Sequence, residues 1–237
     1  MQFFSKYFVM KLLKSLLAPV FASVILSACT LDAERPTDVQ HIDKNDITWQ
    51  QHLKKIKQIQ SYSTKGQIGY ISPQERFSSR FEWQYQNPKA YKLKLYSLIS
   101  KTTLTMEMHP NGMTISDNKG NQQSDKNAKL LLREIIGMDV PLEHLAYWLK
   151  GQPADNADYQ VGTNHLLSEF SYPLDGSIWT ADYLSYHPDN SMPENILLKN
   201  KSTSQTLKIR VDEWGIHMSR KRNLSAKRIV IITVTEN

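Results

Sequence analysis

The sequence predicts a mainly β (α+β) chain, a curved antiparallel sheet of about ten or eleven strands with three helices over its apolar face. Three observations lead there. Apolar residues recur with a period of two through much of the stretch from Phe77 to Asp212. Turn residues punctuate these runs. Three other segments have helical spacing or helix-terminal residues.

The first helix is expected over Asp46 to Ser61. Asp46 is a cap, and Trp49, Leu53, Ile56 and Ile59 recur at spacings of four, three and three. Lys54, Lys55 and Lys57 take the other side. Such a stripe can touch a membrane, but packing on a sheet is its commoner fate.

The period then changes to two. Phe77, Ser79, Phe81, Trp83 and Tyr85 alternate with Ser78, Arg80, Glu82, Gln84 and Gln86. Tyr91, Leu93 and Leu95 alternate with Lys92 and Lys94, and Leu104, Met106 and Met108 with Thr105 and Glu107. Met113 and Ile115 continue the series. One face of each run is apolar, as in antiparallel strands covered on one side. Asn87-Pro88, Pro110-Asn111-Gly112 and Asp117-Asn118-Lys119-Gly120 form the turns between them.

Two helices interrupt the sheet: Lys126 to Ile136, stopped by Gly137, and Pro141 to Lys150, stopped by Gly151. Strands resume at Leu166 to Tyr172, Ser177 to Tyr186, Asn195 to Lys199 and Thr206 to Asp212. Beyond them Arg220 to Arg228 is basic. Ile229 to Val234 is a strand-prone run that fits either an edge strand or an aggregation-prone tail.

At the other end, Lys6, Lys11 and Lys14 precede an apolar run that closes at Leu26-Ser27-Ala28-Cys29, which holds the chain's one cysteine. A basic start, a short uncharged core and small residues before a cut make an export signal. Ser15 to Ala28 is too short for a spanning helix, which needs about 20 apolar residues. Either Met1 or Met10 fits as the start. Leu-Ser-Ala-Cys resembles the lipobox of bacterial lipoproteins, which implies cleavage before Cys29 and its acylation.

Residues 1–28 carry three lysines and no acid, so without them the net charge falls from +6 to +3 over 209 residues. That length suits one domain. With Cys29 acylated, no disulfide is available. Thr30 to Asn45 is polar and reads as a tether, at most about 50 Å extended. The absence of aspartate after the cysteine suggests, by analogy with Gram-negative lipoproteins, the outer membrane. The folded body is expected over 46–214 and a basic and apolar tail over 215–237.

No phosphate loop, nucleophile elbow or zincin helix is present. His41, His52, His109, His144, His165, His187 and His217 show no ligand spacing. Asp117 to Gly120 lacks the ligand series of a calcium loop. Neither an enzyme, a metal nor a cofactor is therefore expected. The mild charge, with basic residues alternating as a solvated face does, argues against nucleic acid.

The order of short motifs is similar to that of the outer-membrane lipoprotein receptor family LolB. They are Trp49-Gln50-Gln51-His52, Tyr62-Ser63-Thr64-Lys65-Gly66, Arg80-Phe81-Glu82-Trp83-Gln84, Asp117-Asn118-Lys119-Gly120, Gly137-Met138-Asp139-Val140-Pro141-Leu142, Trp148-Leu149, Gly151-Gln152-Pro153, Met192-Pro193 and Asp212-Glu213-Trp214. The resemblance implies an open, incomplete β-barrel with helices as a lid over a hydrophobic cavity. It further implies a receptor that accepts triacylated lipoproteins from the periplasmic carrier LolA and places them among outer-membrane lipids, acting as a monomer. Where the family commonly has Asn-Pro-Leu-Gly in a protruding loop, this chain has Ser97-Leu98-Ile99-Ser100. The family's exposed leucine falls on Ile99, so Leu98 and Ile99 are the candidates for membrane insertion. The segment after Trp214 has no recognised counterpart.

Phe81, Trp83, Tyr85, Leu93, Leu95, Met106, Met108 and Trp148 are the candidates for lining the cavity. Taken one by one, each suits a packed core better than a ligand-lined wall, since apolar strand faces usually pack. Two other functions stay open: a scaffold lipoprotein with a solid core, and a lipid hydrolase, for which no nucleophile and base are found.

Overall fold

Of the 237 residues, the computed structural model describes 40–97, 101–137 and 140–217. Twelve strands form one sheet, all paired antiparallel. They are β1 (His41–Ile42), β2 (Ser61–Ile71), β3 (Arg76–Asn87), β4 (Ala90–Tyr96), β5 (Thr103–His109), β6 (Gly112–Asp117), β7 (Gln122–Asp125), β8 (Asp158–Gly162), β9 (Leu167–Leu174), β10 (Ser177–Tyr186), β11 (Pro193–Asn200) and β12 (Gln205–His217). Among the described residues three helices accompany them: α1 (Ile47–Gln58), α2 (Ala128–Ile136) and α3 (Leu142–Trp148).

The sheet consists of two meanders, β2 to β7 and β8 to β12, joined where β12 pairs with β2. β1 and β7 are left as its two edges, so the curved sheet is unclosed, as expected. The segment carrying α2 and α3 leaves from β7 at one edge and returns at β8 beside the other. It must therefore cross between the two sides of the sheet, which is where a lid has to lie.

The alternation read from the sequence sets the inward face. Phe81, Trp83 and Tyr85 of β3, Tyr91, Leu93 and Leu95 of β4, and Leu207, Ile209 and Val211 of β12 are all buried, in one continuous core. β2 also belongs to it through Tyr62, Ile68 and Tyr70, although its Ser, Thr, Lys and Gly content hid it from a search for apolar alternation. The polar β7 and the two-residue β1 were hidden likewise. β1 lies in the stretch read as tether, held by pairing with β8. β12 runs three residues past the expected boundary at 214 because Gly215, Ile216 and His217 stay paired with β2. The tail run at 229–234 lies outside the described residues.

α1 begins at Asp46, whose carboxylate accepts from the Trp49 N–H at 2.8 Å and from the His165 ring at 2.8 Å. The Trp49 hydrogen bond and then His165 hold the Asp46 carboxyl below its usual range. Trp49, Leu53 and Ile56 are buried and Lys54, Lys55 and Lys57 exposed. The amphipathic stripe is thus spent on the core. At the far end of α1 the buried Lys150 donates to the carbonyls of Ile59 at 2.8 Å and Ile56 at 3.3 Å. A cation beside the last carbonyls of a helix is favoured by the helix dipole.

Gly66 sits where β2 meets the bulge of β12 between Val211 and Glu213. A Cβ at Gly66 would stand 1.9 Å from the Arg210 carbonyl oxygen, whereas at Gly69 the nearest atom is 3.9 Å away. Only a residue without a side chain permits this approach of the two strands that join the meanders. Gly66→Ala should therefore destabilise the fold by about 3 kcal/mol. Gly69→Ala should leave it equal or slightly more stable. Urea midpoints of the two variants check this.

Burial lowers the Lys150 pKa to about 8. An unfolded lysine titrates near 10.4, so between these values the unfolded chain binds more protons, and stability rises with pH. Urea midpoints between pH 7.5 and 9.5 should climb in the parent protein and climb less in Lys150→Met.

Candidate functional site

β3, β4 and β5 carry seven of the eight candidate cavity residues. Their register sets Phe81 opposite Leu95, Trp83 opposite Leu93, and Leu93 opposite Met106. Met108 stands opposite Tyr91, half-buried at the margin of this patch. The patch is continuous because neighbouring antiparallel strands place directly opposed side chains on one face.

Trp148, the eighth, arrives from α3 and packs on the other meander. Its ring lies 5.3 Å from Phe170, 5.8 Å from Trp179 and 6.2 Å from Tyr172. The adjacent Tyr147 faces the first meander, its ring 6.3 Å from Tyr85. Successive residues on a helix point about 100° apart, and α3 uses this to wedge between the two halves. The structure thus brings all eight residues to one apolar interior, in which they are close-packed.

Hydroxyl groups fix α3 in place. Tyr62 donates to the Ala146 carbonyl and Tyr183 to the Trp148 carbonyl, both at 2.6 Å. Lys150 adds its bonds to the end of α1. Burial holds the Tyr62 and Tyr183 hydroxyls well above the ordinary tyrosine pKa, so both are donors at neutral pH.

α2 packs beside the edge strand β7 and its neighbour β6. Asn127 caps its start by accepting from the Leu130 N–H at 3.1 Å, and Gly137 ends it in the left-handed region at φ 69°. Leu131 and Leu132 are buried beneath it while Leu130 is exposed. On the outer side Lys129 pairs with Asp175 of the β9–β10 turn at 2.8 Å.

Between α2, α3 and the sheet lies a cleft of about 370 Å³. That volume is near the lower end of small-molecule sites. Tyr91, Leu132, Leu142 and Trp179 line it, with Lys129 and Asp175 at its polar border. None of the eight candidates borders the cleft. Two of them back it: Trp83 is stacked 5.3 Å from Tyr91, and Trp148 lies 5.8 Å from Trp179. His144 also borders the cleft. Its burial lowers its pKa, against the opposing pull of Glu143 and Asp175. Tyr91 was readable from the sequence as an inward strand residue. Its place in the cleft depends on where α3 comes to rest.

Cys29, Leu98 and Ile99 lie outside the described residues. The base of the loop that holds Leu98 and Ile99 is described. The Ser97 N–H donates to the Thr102 carbonyl at 3.0 Å. Asn118 clamps the same base, accepting from the Thr103 N–H at 3.2 Å and donating to the Lys101 carbonyl at 3.0 Å. The turn Asp117 to Gly120 therefore braces its neighbour, a role its turn composition did not reveal. Among the described residues no group of three His, Cys, Asp or Glu side chains could hold a metal ion.

Residues 60–214 match the model of the family described as outer membrane lipoprotein LolB. The chain is 80% identical over 195 residues to the outer-membrane lipoprotein LolB of Haemophilus influenzae (strain PittGG), an overlap of 82% of this chain and 95% of that one. It is 64% identical over 207 residues to the LolB of Aggregatibacter actinomycetemcomitans, covering 86% of this chain and 99% of the other. Among solved structures, a LolA superfamily protein from Nitrosomonas europaea superposes with a TM-score of 0.46 at 12% identity, covering 72% of this chain and 94% of that one. On the family match and these identities, the chain belongs to the outer-membrane lipoprotein LolB family.

Proposed function

We propose that this protein, anchored through lipid on Cys29, accepts triacylated lipoproteins from the periplasmic carrier LolA and passes them into the outer membrane. The observation that supports this best is the cleft between α2 and α3, whose floor continues into the ring cluster of Trp83, Tyr85 and Trp148. Acyl chains need such a surface. Each CH₂ moved out of water gains about 0.8 kcal/mol, so three long chains are held back from water by tens of kcal/mol. The transfer then needs no chemical step, only an interior whose affinity lies between those of the carrier and the bilayer.

Since the interior is packed, chains enter by displacing something. α3 is fastened by Tyr62, Tyr183 and Lys150 to β2, β10 and the end of α1. α2 rests against the sheet edge and ends at Gly137, whose left-handed backbone suits a pivot. We assign the moving part of the lid to α2. The methionines Met106 and Met108 suit an interior that must refit around chains of variable shape. On this reading Leu98 and Ile99 form the contact through which the chains reach the membrane.

One observation favours a second reading. Phe81, Trp83, Leu93, Met106 and Trp148 are each under 5% exposed, as in a solid core, which suits a scaffold lipoprotein without a lipid ligand. Transfer of labelled lipoprotein from the carrier separates the two: a scaffold accepts none. In the same assay Ile99→Glu should take cargo from the carrier as the parent does. Its insertion into outer-membrane vesicles should fall by about tenfold or more, because a carboxylate is costly inside a bilayer. Normal insertion by this variant would remove the loop from the mechanism.

A further inference from the structure

Most buried tyrosine hydroxyls around α3 have an identified partner. Tyr62 donates to Ala146, Tyr183 to Trp148, and Tyr186 to the Leu167 carbonyl. Tyr85 and Tyr147 meet through their hydroxyls at 3.4 Å. Tyr91 is the exception. The residue is 3% exposed, and its buried hydroxyl has no hydrogen-bond partner among the described residues. It also lines the cleft between α2 and α3. Burying an unpaired hydroxyl is unfavourable, and phenylalanine would fill the same space beside Trp83 without that penalty. A hydroxyl in such a position is accounted for by a ligand atom that it meets.

The surroundings narrow the chemistry of that atom. Leu132, Leu142 and Trp179 give one part of the lining an apolar character, the rest being polar or charged, and an ion pressed against that apolar part would lose hydration. Of the charged groups lining the cleft, Lys129 and Arg133 are balanced by Glu143 and Asp175, so it offers a phosphate or a free carboxylate no net charge, and Glu143 is the one that acts on the Tyr91 hydroxyl. Burial and the same acid keep the Tyr91 hydroxyl protonated, hence a donor. A neutral, strong acceptor remains. In an amphiphile whose chains run into the apolar interior and whose polar part faces the Lys129–Asp175 border, that acceptor is the carbonyl joining chain to glycerol.

We propose that the Tyr91 hydroxyl donates a hydrogen bond to the ester carbonyl of a glycerol-linked acyl chain seated in the cleft. The proposal rests on the acyl-binding reading above and deepens it: chains are recognised at the ester as well as along their length. It assigns β4 a polar contact among otherwise greasy ones. It also places the ester at the boundary between border and interior, which sets how deep each chain can go.

The test uses the full-length anchored protein in detergent micelles, titrated with a diacylated cysteinyl peptide whose chains are ester-linked and with the same peptide carrying ether-linked chains. An ether keeps the chains and lacks the carbonyl. The parent should bind the ester form more tightly by roughly 3- to 10-fold, the range of one neutral hydrogen bond. Tyr91→Phe should lose this preference by weakening only the ester form, with its Tm unchanged or raised. Equal binding of both peptides by the parent would overturn the assignment and leave acyl binding intact. An equal loss for both peptides in Tyr91→Phe would also overturn it, since the ring rather than the hydroxyl would then be responsible. If the parent bound neither peptide, acyl binding itself would fail and the assignment with it.

Discussion

Because β7 and β8 finish on opposite flanks of the sheet, the chain between Asp125 and Asp158 has to travel across its concave side. A closed barrel would have made this route impossible, and a flat sheet would have left it nothing to cover. The unpaired edges and the helical crossing therefore imply one another. The crossing segment meets the apolar face of both meanders, and α3 fills the gap between them with Tyr147 on one side and Trp148 on the other. Bulges in the β12–β2 and β10–β11 pairings help bend the strands, as an extra residue on one side does.

Polar groups inside this interior act as fasteners. Three donors of two kinds, the Tyr62 and Tyr183 hydroxyls and the Lys150 ammonium, hold carbonyls at the ends of α3 and α1. The Trp148 and Ile56 carbonyls also accept from the Gly151 and Ile59 N–H groups, so Tyr183 and Lys150 take up their remaining acceptor capacity. The result is a dry anchoring of α3 that leaves ring surfaces free for apolar contact. Lys150 has no carboxylate paired with it among the described residues, so the carbonyls at the end of α1 and the Tyr147 ring 5.5 Å away support its charge, and its lowered pKa reflects the cost of that burial.

The two crossing helices are held in different ways. α3 keeps Trp148 against Phe170 and Trp179, while α2 covers the cleft from the sheet edge. On the transfer reading proposed above, a site that hands its contents onward cannot be fastened on every side. An interior of rings and methionines, with few hydrogen bonds to break, changes shape at lower cost than a polar one.

The period of two in 77–86, 91–95 and 104–108 already determined which side of each strand would be buried. Asp46, Gly137 and Gly151 marked helix ends because capping and left-handed turns are decided within a few residues. Those are local effects, and a linear chain displays them. The polar β2 and β7 stayed hidden because their pairing is owed to neighbours far along the chain. The same holds for the candidate site. Eight residues could be recognised as inward-facing and apolar, but alternation says nothing about which inward residues meet a gap. Only the docking of α3 against both meanders decided that Trp83 and Trp148 lie behind the cleft and that Tyr91, one more apolar position in the alternation of β4, borders it with its hydroxyl buried and without a hydrogen-bond partner among the described residues. Side-chain direction is a property of the strand, whereas enclosure depends on distant parts of the chain brought together by burial.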